Sequence, residues 1–285
     1  MPTPAKRDVP YGPHPLNVLD FYPPTGGGAG PWPLYVFIHG GGFRSGDKAN
    51  LPVVLAEGLL ARGVAVAAVN YRLSDLAPYP AAMTDCARAV QFLRTQAAAW
   101  GVDGTRLAAG GGSAGAGISQ WLGFGPDRAD PTSPDPVARQ STRLSAIGCW
   151  QAQCSYDPHF IRAIIPGIPG PHAALRDFFR VPLEDIRSDR ALRMFHDASP
   201  INFITPAAPP VYVWYKTRNV PVTDPLEPGV AIHHPQFGIT LRAALTAVGV
   251  ECVVRFREEC PESDAVAETY FLPAQAAWLA AKLGR

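Results

Sequence analysis

Short runs of β-branched and aromatic residues alternate along the chain with segments whose apolar positions recur every three or four residues. Residues 34–38 (Leu-Tyr-Val-Phe-Ile) and 64–69 (Val-Ala-Val-Ala-Ala-Val) are unbroken apolar stretches, the pattern of strands buried on both faces. A third short strand is predicted at 106–109, running straight into a glycine-rich turn at 110–117. Further strands are predicted at 146–149, 211–215 and 251–256. Helices are expected between them, at 47–61, 80–99, 114–122 and 239–247, with a closing helix at 265–283. Within 80–99, Ala82, Cys86, Ala89, Val90 and Leu93 fall on one face, and Pro80 suits the first turn. Strand–helix alternation of this length implies parallel βαβ units: the fold class is α/β, a mostly parallel central sheet flanked by helices. Residues 155–205 break the rhythm. They are rich in Pro, Arg and aromatics and read as an insertion of short helices at the carboxyl edge of the sheet, where ligands of such folds bind.

Composition narrows the class of function. The chain has 285 residues, with 25 Lys+Arg against 24 Asp+Glu, so no basic excess supports binding to nucleic acid. No apolar run reaches the roughly 18 residues of a membrane span. The N-terminus has no hydrophobic signal core; the chain is expected to be cytoplasmic if it is complete and secreted if a signal peptide has been removed. Five cysteines, at 86, 149, 154, 252 and 260, lack metal-site spacing and are expected as buried free thiols, with pairing of Cys149 and Cys154 left open.

Two motifs bear chemistry. Gly111-Gly-Ser113-Ala-Gly115 fits G-x-S-x-G between a predicted strand and a predicted helix, the setting of a nucleophile elbow. Glycines there let strand and helix approach closely while the serine stands at the apex of a strained turn. At a helix N-terminus, Ser113 would meet backbone N–H groups and a dipole that favour developing negative charge, with the N–H of Ala114 the first oxyanion donor. The second motif, His39-Gly-Gly-Gly42, follows the 34–38 strand and can aim bare backbone N–H groups at a carbonyl oxygen. A phosphate-binding reading fails, because residues 110–117 contain no G-K-[ST] and no acidic residue closes the next strand.

These motifs, with Asn70-Tyr-Arg-Leu73 and the segment from Tyr79 to Cys86, resemble the HGGG-bearing α/β-hydrolases: carboxylesterases and relatives of hormone-sensitive lipase. The resemblance is strong over residues 15–125 and only topological beyond. It implies a single α/β-hydrolase domain with a cap-like insertion at 155–205, Ser113 as nucleophile, and Gly41, Gly42 and Ala114 as oxyanion donors. It also implies a small carboxylic ester as substrate, with no cofactor and no metal. Removal of acetyl or feruloyl groups from polysaccharides is a subclass the sequence does not separate from general carboxylesterases. Gly112 departs from the pattern, since many relatives place an acidic residue there.

The larger departure is the base. The family order is serine, acid, histidine, yet no histidine follows the last predicted strand, and none at all follows His234. A serine hydroxyl without an adjacent base is a poor nucleophile. His233 or His234, at the end of the Pro-rich loop 218–235, could fold back to Ser113, although the pair also reads as a cap before the 239–247 helix. Glu258 or Glu259 could serve only with a raised pKa. Asn219 stands nearest the usual acid position; Asp224 is the better candidate for an acid, because an Asn cannot stabilise imidazolium. Two functions therefore stand: a serine esterase working through an acyl-enzyme, or a degenerate hydrolase that binds a ligand without turnover.

Overall fold

The computed structural model describes residues 2–26, 28–261 and 266–284. Eight strands form one sheet: β1 (Lys6–Pro10), β2 (Val18–Tyr22), β3 (Trp32–Ile38), β4 (Ala65–Val69), β5 (Val102–Gly110), β6 (Ala146–Trp150), β7 (Val211–Trp214) and β8 (Cys252–Arg255). Their order is β1-β2-β4-β3-β5-β6-β7-β8. The six strands from β4 to β8 run parallel, while β1 and β2 add an antiparallel hairpin at one edge.

The hairpin is absent from the expectations above for a physical reason. β1 is almost wholly exposed and charged, so it shows no apolar alternation. β2 buries Asp20, whose carboxylate is held by Lys48 Nζ at 2.9 Å. The remaining strands fall where predicted, within a few residues.

Alternate strand residues feed two cores, as a period of two demands. Leu34, Val36 and Ile38 face one core with Ala65, Ala67 and Val69; Tyr35 and Phe37 face the other with Val66 and Ala68. Helices α1 (Val53–Leu60) and α9 (Ala267–Lys282) cover the second face, while α2 (Ala81–Trp100), α3 (Ala114–Phe124) and α8 (Gln236–Ala247) cover the first. The helix expected at 47–61 is divided: a 3-10 turn at Lys48–Asn50 precedes α1, with Pro52 at its N-cap. Residue 265, the expected start of the closing helix, lies outside the described residues.

The stretch 155–205 holds α4 (Pro158–Ile164), α5 (Ala173–Phe179) and α6 (Asp189–Ala198), followed later by the short α7 (Pro228–Ile232). The chain leaves β3 toward β4 on one side and leaves β5 toward β6 on the other, so β3 and β5 bracket a topological switch point. In open α/β sheets the crevice outside the carboxyl ends of such strands is the ligand site.

Candidate active site

Both glycine motifs sit at that crevice. Ser113 follows β5 and is the N-cap of α3, with φ 51° and ψ −116°, a left-handed strained backbone for a residue with a side chain. It is held by β6: the Ser113 N–H donates to the Trp150 carbonyl at 3.0 Å, and the Trp150 N–H donates to Gly111 O at 3.0 Å. Close approach explains Gly115, since a Cβ there would lie 1.9 Å from the Ile38 carbonyl oxygen at the end of β3. At Gly112 a Cβ would lie 2.3 Å from Trp150 Nε1. The indole occupies the space that an acidic side chain would need, which accounts for the departure noted at this position.

The loop after β3 is tied down from behind. His39 is buried, stacked on Tyr71 with ring centroids 4.2 Å apart, and its Nδ1 lies 2.8 Å from Gly40 O. The Tyr71 hydroxyl donates to His39 O at 2.9 Å. Gly41 has φ 106°, open only to glycine. Its carbonyl accepts the N–H groups of Arg44 and Ser45, which closes the turn after the motif. Among the described residues no protein group accepts the N–H of Gly41, Gly42 or Ala114, and Gly41 lines both cavities that open on Ser113.

His233 Nε2 stands 2.9 Å from Ser113 Oγ. Its Nδ1 is 3.2 Å from the Gly229 carbonyl, one turn back along α7. A carbonyl can only accept, so Nδ1 carries the proton and the Nε2 lone pair faces the serine hydroxyl. Burial pushes the His233 pKa down to about 4; the Gly229 carbonyl opposes the shift, and the nearby His172 and Lys216 add to it.

The other sequence candidates lie elsewhere. His234 is buried, with Nε2 2.9 Å from Val220 O and Nδ1 accepting the Gln236 N–H at 3.0 Å, so its ring is spent capping α8. Consecutive residues cannot both face one point: α7 ends at Ile232, and only His233 projects to the crevice. Asp224 is exposed in the loop, and the ring nitrogen it was expected to orient is held by Gly229 instead. Asn219 is exposed, and its N–H is taken by Glu258 Oε1 at 2.9 Å. Glu259 accepts from Phe256 N and Arg255. Neither glutamate lines the Ser113 cavities. The five cysteines are free thiols, all but Cys252 buried.

Two cavities flank Ser113 and His233. One of about 570 Å³ is lined by Phe37, Asn50, Trp150, Gln151, Lys216 and Glu268, with the Lys216 Nζ 3.7 Å from Glu268. The other, about 330 Å³, is bounded by Phe43, Gln153, Tyr156, His172, Leu175 and Ile232. The sequence reading missed Gln151 and Gln153 as parts of the site, because single polar residues beside apolar ones have no signature without a fold.

A family model described as BD-FAE matches residues 19–144. The esterase LipC of Mycobacterium tuberculosis is 24% identical over 219 residues, 75% of this chain and 51% of LipC. The carboxylesterase NlhH of the same organism is 39% identical over 88 residues, 30% of this chain and 27% of NlhH. The chain thus spans about half the length of LipC, and less of NlhH. Among solved structures, a truncated carbohydrate esterase from gut microbiota superposes with TM-score 0.73 at 17% identity, covering 98% of this chain and 96% of that one. Esterase Est2 of Thermogutta terrifontis, with propionate bound, gives TM-score 0.66 at 19% identity over 92% of this chain and 88% of its own. The chain has the α/β-hydrolase fold, and its sequence is similar in part to carboxylesterases. In this fold no histidine follows β8, where the resemblance places one, and an imidazole reaches Ser113 from the C-terminal end of α7, on the loop that follows β7. Among the described residues, no helix is long and apolar enough to cross a membrane.

Proposed function

We propose that the protein hydrolyses small carboxylic esters through an acyl-enzyme on Ser113, with His233 as base and then acid. The observation that carries this reading is the 2.9 Å contact between His233 Nε2 and Ser113 Oγ. The neutral ring takes the serine proton as Oγ attacks the ester carbonyl. The N–H groups of Gly41, Gly42 and Ala114 receive the charge that develops on the carbonyl oxygen. The imidazolium returns the proton to the departing alkoxide, and water enters by the same route to release the acid. The two cavities take the acyl and alcohol portions, and their sizes suit a small ester. Esterase names among the relatives support the same reading.

The imidazolium has only a carbonyl dipole beside it. In the serine-protease template, loss of the carboxylate costs about 10⁴ in turnover, so turnover here is expected to be slow. That arrangement also favours the second reading, a hydrolase fold that binds an ester-like ligand without turning it over. Intact-mass spectrometry after incubation with a fluorophosphonate separates the two. A single adduct, lost in Ser113→Ala and in His233→Ala but kept in His234→Ala, supports the esterase. No adduct under conditions that label a known esterase would overturn the activated serine in favour of ligand binding.

A further inference from the structure

With no carboxylate on its Nδ1, His233 must be oriented by other means, and this inference rests on reading Ser113 and His233 as the working pair. α7 has five residues, too short to hold its own shape, and a long Pro-rich loop precedes it. Two buried glutamines just beyond β6 reach this segment. Gln153, 2% exposed, spends both amide hydrogens, one on Gln151 O at 3.0 Å and one on Ile232 O at 2.7 Å. Ile232 O belongs to the peptide unit that leads into His233, so holding that oxygen fixes the direction in which the histidine side chain departs. Gln151, at φ 52°, fastens the start of the same loop, accepting the Lys216 N–H at 2.9 Å and donating to Thr217 Oγ1 at 3.0 Å. The residue before it, Trp150, accepts the Ser113 N–H. Nucleophile and base are therefore both referenced to four consecutive residues, 150–153.

We propose that Gln153 is the positioning residue that stands in for the triad's carboxylate: it clamps the peptide unit before His233 and so keeps the imidazole against Ser113. It acts by geometry and supplies no charge. The ionisable groups around the ring do not take over the task. His172 before α5 and Lys216 after β7 are cations or potential cations that disfavour imidazolium, and Glu268 of α9 faces the same cavity but pairs with Lys216.

The test is Gln153→Met, which keeps length and volume but removes both donors, with Gln153→Asn, too short to span both carbonyls, as the second variant. The His233 imidazole signal is identified by its loss in His233→Ala and titrated by NMR in each folded protein, a readout that needs no turnover. In Gln153→Met the ring is expected to reach water, and its titration to rise by about a unit or more from near 4. kcat on a small ester and the rate of fluorophosphonate labelling should fall roughly tenfold to a hundredfold, with KM little changed; Gln153→Asn should fall between. Should either folded variant keep the wild-type His233 titration or the wild-type kcat, the positioning role is overturned. Failure of the wild-type protein itself to react with the probe overturns instead the reading of Ser113 as an activated nucleophile.

Discussion

At His233 the sign of the pKa shift decides the pH behaviour. As the proposed base, His233 works when neutral, and burial lowers its pKa to about 4 from an ordinary 6.5. Hydrolysis is therefore expected to stay flat as pH falls through 6.5 and to decline only near pH 4, a profile of kcat/KM that initial rates would reveal. The same shift bears on stability in the opposite direction. Between pH 6.5 and 4 the unfolded chain binds a proton that the folded one refuses, so stability falls over that window as pH is lowered. His234 provides the contrast. Its ring is bonded on both nitrogens within the fold, so His234→Ala should cost about 1–3 kcal/mol in chemical denaturation and leave Ser113 labelling intact in the folded protein. His233→Ala should reverse that pattern, losing roughly 10²–10⁴ in rate with little change in midpoint. Asp224→Asn, at an exposed side chain that lines neither Ser113 cavity, should change neither rate nor stability measurably.

The elements show how far the sequence could be read, and where it stopped. β3, β4 and the elbow were legible because their constraints are local: an unbroken apolar run means burial on both faces, and glycines flanking a serine mean a strand and helix in near contact. Gly112 is the sharpest case. Its departure from the family pattern was visible in the sequence, but its cause, the Trp150 indole 2.3 Å from where a Cβ would stand, comes from a strand 38 residues away. Gly112→Asp should therefore fail to restore a family-like elbow: displacement of Trp150 would slacken the Ser113–Trp150 hydrogen bond, and labelling of Ser113 should drop sharply. The imidazole beside Ser113 was legible only as one of a pair of candidates. The choice between His233 and His234 depends on where a five-residue helix ends, a boundary finer than composition or periodicity resolves. β1 was missed because an exposed, charged edge strand has no buried face to imprint on its sequence, and an edge is safer from unwanted pairing when it is charged.

At the scale of the whole molecule, the 155–205 stretch and the glycine loop after β3 form one packed unit. Phe178 of α5 is buried and stacks on Phe43, the residue that closes the His39-Gly-Gly-Gly motif, with ring centroids 3.8 Å apart and planes 11° from parallel. Tyr79, Tyr156 and Phe179 surround the pair, and Arg44 reaches Asp177 at 3.0 Å beside it. The backbone that would hold the oxyanion thus rests on the insertion rather than on the sheet alone. Phe178→Ala should cost about 3–5 kcal/mol and also lower kcat, because Gly41 and Gly42 lose the surface that fixes their N–H directions. Phe271 of α9 supplies the matching control. It is equally buried, stacks on Trp214 at 5.2 Å and lies on the opposite face of the sheet. Phe271→Ala should lower the denaturation midpoint by a comparable amount while leaving kcat near wild type at temperatures where the protein stays folded. Equal losses of kcat in the two variants would mean that Phe178 contributes stability alone and that the oxyanion loop keeps its shape without the insertion.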